Sequence, residues 1–370
     1  MENPDIAPNA ARCRFRRIVV KVGSNVLTRA DGTLDTDRMA ALADQIAALH
    51  RAGVEVIVVS SGAVAAGRGV IAAGHRLDAV SARQLYSAVG QVKLLNRYYD
   101  LFNEYGIACG QVLTTKESLS TRRQYLNQRN CMEAMLAAGV VPIVNENDTI
   151  SVTELMFTDN DELSGLVAAM MGAEALVILS NIDGIYDGSP SDPASQVIRR
   201  VAPGRDLSQY IDTARSSRGR GGMTTKSRIS SRAAGEGIEV VIANGRRDNI
   251  LTDLILTDRD VVCTRFEAAP RPASGVKKWI ASSEGFAKGA LHLDAGAAAA
   301  VSQSKAASIL AVGVTAVEGD FERDDIVRIL SPEGAPLGVG RISCDSATAR
   351  RNLGRKGLKP LIHCDYLYLE

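Results

Sequence analysis

The sequence predicts a large α/β domain, a mainly parallel sheet between two helical layers, followed by a small β-rich domain of barrel-like character. Three observations predict it. Short apolar runs rich in β-branched residues recur at 18–20, 54–59, 107–113, 140–144, 175–179 and 238–243, with the length and composition of buried parallel strands. Segments with helical spacing lie between them. Met39, Leu42, Ile46 and Leu49 share one face of 36–50, and 81–104 reads the same way. Strands alternating with helices imply crossover connections and a sheet covered on both faces.

The third observation is a change of character near Ala268. The stretch AAPRPASG, 268–275, has the small residues, prolines and glycine of a linker. Beyond it, 309–316, 325–330 and 338–343 are short β-like runs separated by glycine turns, and only 296–303 and 346–353 have helical spacing. The expected boundaries are 1–265 for the α/β domain, 266–275 for the linker and 276–370 for the β-rich domain.

Composition narrows the function classes. The 43 Lys and Arg against 42 Asp and Glu leave no basic footprint for a dedicated nucleic-acid binder. Six scattered cysteines and four histidines show neither CxxC nor HxxxH spacing, so no residue is assigned to a protein-bound metal. The apolar run after ARCRFRR is only Ile18, Val19 and Val20 before Lys21, too short for a signal peptide. The apolar stretch 163–179 carries Gly165, Gly172 and Glu174 and falls short of a membrane span. The expectation is a soluble cytoplasmic protein without a membrane partner.

Chemistry concentrates where the runs end. After the run at 140–144 comes NENDTISVTELMFTDNDELS, 145–164, crowded with Asn145, Glu146, Asn147, Asp148, Asn160, Asp161 and Glu162. In open α/β sheets ligands bind outside the carboxyl ends of strands; a solvated loop with Asx-turns and a helix cap is the other reading. The first run leads into Lys21-Val22-Gly23, a lysine where an unpaired ammonium is costly and a glycine that admits close approach. This suits a phosphate, or a lysine snorkelling at a strand end. Ser60-Ser61-Gly62 turns a second strand into a helix. Arg220-Gly221-Gly222-Met223-Thr224-Thr225-Lys226 opens another helix with amides, hydroxyls and a lysine, either a phosphate loop or a flexible linker. Ser180-Asn181 ends a further strand. Two lysines at one phosphate would repel each other, so a carboxylate between them is required, and Asp161 is the candidate.

In their order, KVGSNVL (21–27), SSGAVAAG (60–67), NEND (145–148), TDNDELS (158–164), IDGIY (182–186) and GGMTTK (221–226) resemble the amino acid kinase superfamily. The likeness covers essentially the whole chain. It is nearest the branch that phosphorylates the side-chain carboxylate of free L-glutamate, and the segment from Val276 resembles a PUA domain. The resemblance implies the three-layer αβα fold of that superfamily and transfer of the ATP γ-phosphate to L-glutamate, the first step of proline biosynthesis. It implies Mg²⁺ carried mainly by ATP phosphates, proline as a feedback inhibitor, and a homodimer or homotetramer. Residue by residue, it implies that Lys21 and Lys226 stabilise the transferring phosphoryl group and that Asp161 holds them. Ser61, Asp148 and Asn160 would bind glutamate, with Asp148 meeting its ammonium. Gly221, Gly222, Met223, Thr224, Thr225 and Lys226 would bind nucleotide phosphates with Lys21 and Arg220, and Ser180-Asn181 the nucleoside end. The chain departs from the family pattern at Asn181, where aspartate is common, and at Arg220, where a small residue is common.

Two rival readings keep the same fold. N-acetylglutamate or aspartate could replace glutamate as acceptor, but a free ammonium needs the counter-charge that Asp148 can supply. The C-terminal domain could bind RNA, but residues 276–370 hold twelve Lys and Arg against eleven Asp and Glu, which speaks against nucleic acid as a partner.

Overall fold

The protein, as a computed structural model, is described over residues 13–71, 77–119, 122–150, 159–190, 192–211, 222–270, 287–303 and 307–369. It divides into two compact units, one of Met1–Thr115 with Arg129–Pro272, the other of Lys116–Gln128 with Ala273–Glu370. The strands of the first unit are β1 (Arg17–Val22), β2 (Glu55–Ser60), β3 (Cys109–Thr114), β4 (Val141–Glu146), β5 (Ala175–Ser180), β6 (Arg200–Val201), β7 (Glu239–Asn244) and β8 (Thr264–Phe266). They form one sheet in the order β3-β4-β2-β1-β5-β7-β8-β6. Pairing is parallel from β3 through β7; β8 runs antiparallel to β7 and parallel to β6. The six predicted runs each became a strand of this sheet. β6 and β8 escaped prediction because strands of two and three residues are too short to show a period.

Chain order fixes where a ligand can sit. From β1 the chain builds β2, β3 and β4 on one side, then crosses to β5 on the other. Loops after β1 and β5 therefore diverge at a topological switch point, where open sheets leave a crevice at the strands' carboxyl ends. The helices of the chain through this unit are α1 (Ser24–Leu27), α2 (Thr36–Arg51), α3 (Ala63–Arg68), α4 (Ala79–Asn103), α5 (Arg122–Ala137), α6 (Asn160–Met171), α7 (Ser208–Ile211), α8 (Met223–Gly235) and α9 (Ile250–Ile255).

Strand alternation sorts β1 between the two faces. Ile18, Val20 and Val22 pack with Met39, Leu42 and Ile46 of α2, Leu94 and Tyr98 of α4, and Leu251 of α9. Val19 and Lys21 fall on the other face, where α6 packs against β1, β2, β4 and β5. α3 and α4 cross so closely that a Cβ on Gly90 would overlap the Ala63 carbonyl oxygen. That contact accounts for the small residues after Ser61 as helix packing.

The second unit holds a five-stranded sheet in the order β10-β9-β11-β12-β13, with β9 at Gly289–Leu293, β10 at Val314–Gly319, β11 at Ile326–Leu330, β12 at Pro336–Arg341 and β13 at Leu367–Leu369. β9 and β11 pair in parallel and the other pairs are antiparallel. Helices α10 (Ala295–Gln303) and α11 (Ser346–Asn352) complete it, around a core of Leu291, Leu293, Val327, Ile329, Ile342 and Ile362. The run expected at 309–316 is interrupted by a 3-10 turn at Ala311–Gly313, and β10 starts only at Val314. Of the expected linker, 271–275 lies outside the described residues. Among the described residues no helix is long and apolar enough to cross a membrane.

Candidate active site

Loops from the carboxyl ends of β1, β2, β4 and β5 meet the first turns of α6 and α8 around a cavity of about 1230 Å³. The turn after β2 depends on Gly62, whose φ of 106° lies in the left-handed region that favours glycine. α6 begins at Asn160 because Asp159 caps it, its Oδ1 accepting from the amides of Asp161 at 2.8 Å and Glu162 at 3.1 Å. Asn160 and Asp161 thus stand in the first turn of a helix, where negative charge is favoured by the helix dipole. α8 delivers Lys226 from its own first turn.

One end of the cavity is a three-charge cluster. Lys21 Nζ lies 2.5 Å from Asp161 Oδ1, and Lys226 Nζ lies 2.9 Å from Asp161 Oδ2. The Asp161 side chain is 0% exposed, and those of Lys21 and Lys226 only 7% and 11%. Burial alone would push the Asp161 carboxyl up; the Lys21 and Lys226 charges outweigh it and hold the carboxyl below the ordinary carboxylate range. Asp159, its neighbour two residues back, goes the other way. Burial and then the Asp161 charge push its carboxyl up, against the Glu162 amide and the two lysines. Its Oδ2 is buried and has no hydrogen-bond partner among the described residues.

The other end is an acid corner after β4. Asp148 pairs with the Arg83 guanidinium, and its Oδ2 accepts from Ser87 Oγ at 3.3 Å. Glu146 lies 3.5 Å from the same Arg83 nitrogen. Arg83, Ser87 and Gln91 are spaced i, i+4, i+8 on α4, one stripe turned toward this loop. Gln91 Oε1 accepts from Asn145 Nδ2 at 2.8 Å. Asn160 knits the two ends together: its Nδ2 lies 3.0 Å from Ser60 O, 2.9 Å from Ser61 Oγ and 3.0 Å from Asn145 Oδ1. Its amide nitrogen is thus occupied with protein oxygens, which leaves its carbonyl oxygen as the part able to reach a ligand. Asn147 accepts from the Thr149 hydroxyl, an ordinary turn contact.

The cavity wall brings together Lys21, Ser61, Asp148, Asn160, Asp161, Ser180, Asn181, Met223 and Lys226 of the sequence-predicted set. Gly222, Thr224 and Thr225 lie beside Met223, at the cap and in the first turn of α8, and do not line it. Arg220 and Gly221 lie outside the described residues. Asp159 and Arg83 are among the wall residues that escaped sequence reasoning. Asp159 could have been found as the capping residue ahead of an apolar helix. Arg83 had no signal beyond a place on an amphipathic helix.

The Amino acid kinase family profile matches residues 16–244, and the PUA domain profile matches 289–361. The chain belongs to the amino acid kinase family. A glutamate 5-kinase of Bacteroides thetaiotaomicron is 64% identical over 96% of this chain and 99% of its own length. One from Chlorobaculum tepidum is 48% identical over 96% and 98% respectively. A UMP kinase structure from Ureaplasma parvum covers 69% of this chain and 99% of its own, at 17% identity and a TM-score of 0.48. The kinase match spans the cavity wall from Lys21 to Lys226, all of it but Arg246, so both charged clusters lie in the part of the chain that matches the family.

Proposed function

We propose that the protein phosphorylates the side-chain carboxylate of L-glutamate with ATP, giving L-glutamyl 5-phosphate, the first step of proline biosynthesis. The observation that carries this reading is one cavity with a lysine–aspartate–lysine cluster at one end and the buried Asp148 carboxylate at the other. Free glutamate presents a carboxylate to phosphorylate and an ammonium to recognise. High identity to curated glutamate 5-kinases over nearly full length supports it.

The chemistry follows from the charges. Phosphoryl transfer needs alignment and neutralisation more than covalent help. Lys21 and Lys226 place two positive charges where charge develops on the γ-phosphoryl group and the bridging oxygen. Their mutual repulsion is offset by Asp161, which also fixes their positions. The acceptor is a carboxylate, ionised at neutral pH, so it attacks in line with the leaving diphosphate without a general base. Ser180, Asn181 and Met223 line the nucleotide side, with the cap and first turn of α8 beside the phosphates. Asp148 holds the ammonium, while Ser61 and the Asn160 carbonyl steady the acceptor. Mg²⁺ would be held mainly by the ATP phosphates and would supply charge neutralisation there, with Asp159, whose buried Oδ2 has no hydrogen-bond partner among the described residues, as a hard oxygen donor beside it. Proline carries the same ammonium and carboxylate on one carbon, and we assign it to the Asp148 corner as a feedback inhibitor. The domain boundaries at 265 and 276, and self-association into dimers or tetramers in the cytoplasm, belong to the same proposal.

The test is ATP-dependent hydroxamate formation in hydroxylamine with L-glutamate, L-aspartate or N-acetyl-L-glutamate as acceptor. Product with L-glutamate alone is expected. Product with N-acetyl-L-glutamate and none with L-glutamate would overturn the reading.

A further inference from the structure

The geometry points to Arg83 as the residue that binds the α-carboxylate of the amino acid. We propose that its ion pair with Asp148 holds it in place until the substrate ammonium takes that aspartate. The inference rests on the reading of the cavity as a glutamate site and adds the group that reads the third charge of the substrate. Glutamate brings one ammonium and two carboxylates. The side-chain carboxylate must face Lys21 and Lys226. The α-carboxylate sits on the same carbon as the ammonium, so its partner must be a cation within reach of Asp148.

Among the described residues Arg83 meets that condition. It touches both Asp148 and Glu146 through Nη2 and lines the cavity. The other cations on the wall are engaged elsewhere. Lys21 and Lys226 hold Asp161. Arg29 lies 3.1 Å from Asp37, and Arg246 donates to the Asn25 carbonyl at 2.9 Å. The Arg68 guanidinium lies over the Tyr86 ring. Arg83 is also presented by a rigid element, a 25-residue helix capped by Asp78. Its planar fork matches a carboxylate in a way an ammonium does not. Both of these carboxylates are buried while the Arg83 side chain is 24% exposed, so of the three the guanidinium is the one most open to the cavity. When a substrate ammonium reaches Asp148, the Arg83 charge passes to the substrate carboxylate. The charge count of the corner is conserved.

Two analogues isolate the step. 4-Aminobutyrate is glutamate without the α-carboxylate, and glutarate is glutamate without the ammonium. For R83Q, the KM for L-glutamate should rise roughly tenfold to a hundredfold, as expected for a lost charged hydrogen bond. The affinity for 4-aminobutyrate, read as substrate or competitive inhibitor, should stay the same or improve, because Asp148 loses a competitor. Equal weakening of both ligands would overturn the proposal and leave Arg83 as a prop for Asp148. An unchanged KM for glutamate would overturn it too. R83K keeps the charge and guards against misfolding; it should show a smaller loss in the same direction, again for glutamate only. Glutarate should respond to R83Q as glutamate does. Failure of the wild-type enzyme to use glutamate at all would instead bring down the underlying functional reading.

Discussion

The two ends of the cavity are made from the same materials, carboxylates and basic side chains, yet they are built for opposite purposes. At the phosphate end one carboxylate serves two ammonium groups, all three nearly sealed from solvent and drawn from β1, α6 and α8. At the amino-acid end two buried carboxylates face one guanidinium that is partly open to the cavity. On the proposed reading, the cation-rich, enclosed cluster receives the negative charge of the phosphates. The acid-rich, more open one receives the positive charge of the amino acid. Buried ion pairs are weak contributors to stability because desolvation offsets their attraction. Both clusters are therefore better understood as functional devices than as staples for the fold.

The sharpest way to break the contrast is at Asp161. D161A removes the carboxylate that sits between two buried ammonium groups. Turnover should fall by roughly a thousandfold, the scale of losing a preorganised charge stabiliser, while the KM for glutamate changes little. The folded state should lose roughly 3 kcal/mol, as when one member of a buried pair is removed. Steady-state kinetics and a denaturant titration measure the two effects. A large rise in KM with kcat preserved would reverse the roles given to the two ends.

D148N tests the opposite end and should do the opposite. The ammonium loses its counter-charge but the lysines remain aligned, so KM for glutamate should rise about tenfold or more with kcat largely kept. The two variants should also combine additively in ΔΔG‡ if the ends are independent. The bridge made by Asn160 between Ser61 and Asn145 is the route by which they could couple.

How far these ends could be read from the sequence follows from where their residues lie. The strands were legible because buried parallel strands are continuous β-branched runs, and each functional loop sits at the end of one. Lys21 and Lys226 were legible as cations misplaced in apolar or glycine-rich surroundings. Asp161 followed from their repulsion. The stretch 145–164 reads either as a ligand site or as a solvated loop with a helix cap; 159–164 begins α6, and the Asp159 cap that starts it is a short-range contact that composition alone does not separate from turn chemistry. Arg83 could not be read at all. It meets Asp148 across 65 positions, and only the packing of α4 brings them together.

A pH series refines the comparison within the phosphate end. The Asp161 carboxyl is held below its ordinary value, so its ionised form supports the fold above the usual carboxylate range. That support should disappear as pH falls through the lowered value. Wild-type stability should therefore drop in acid more steeply than that of D161A, measured by urea midpoints across acid to neutral pH. Parallel curves would show that the lysine charges do not stabilise the aspartate in the folded state.

The smallest expected effect, at Asp159, carries the opposite sign. Its carboxyl is pushed up by burial and by Asp161, so the folded state holds the proton more tightly than the unfolded chain. Its ionisation therefore works against the fold as pH rises through the carboxylate range toward that raised value. Asparagine caps a helix as well as aspartate does, so D159N keeps the contacts to the Asp161 and Glu162 amides. It removes the charge and relieves the partnerless Oδ2 of its ionic desolvation cost. The ligand-free variant should match the wild type in acid and exceed it by roughly 1 kcal/mol at neutral pH. It should also turn over more slowly, because that oxygen is the one suited to Mg²⁺ on the nucleotide. A D159N protein less stable than wild type at neutral pH would mean that Lys21 and Lys226 already compensate both aspartates. The phosphate end would then be a four-charge cluster, balanced before any ligand arrives.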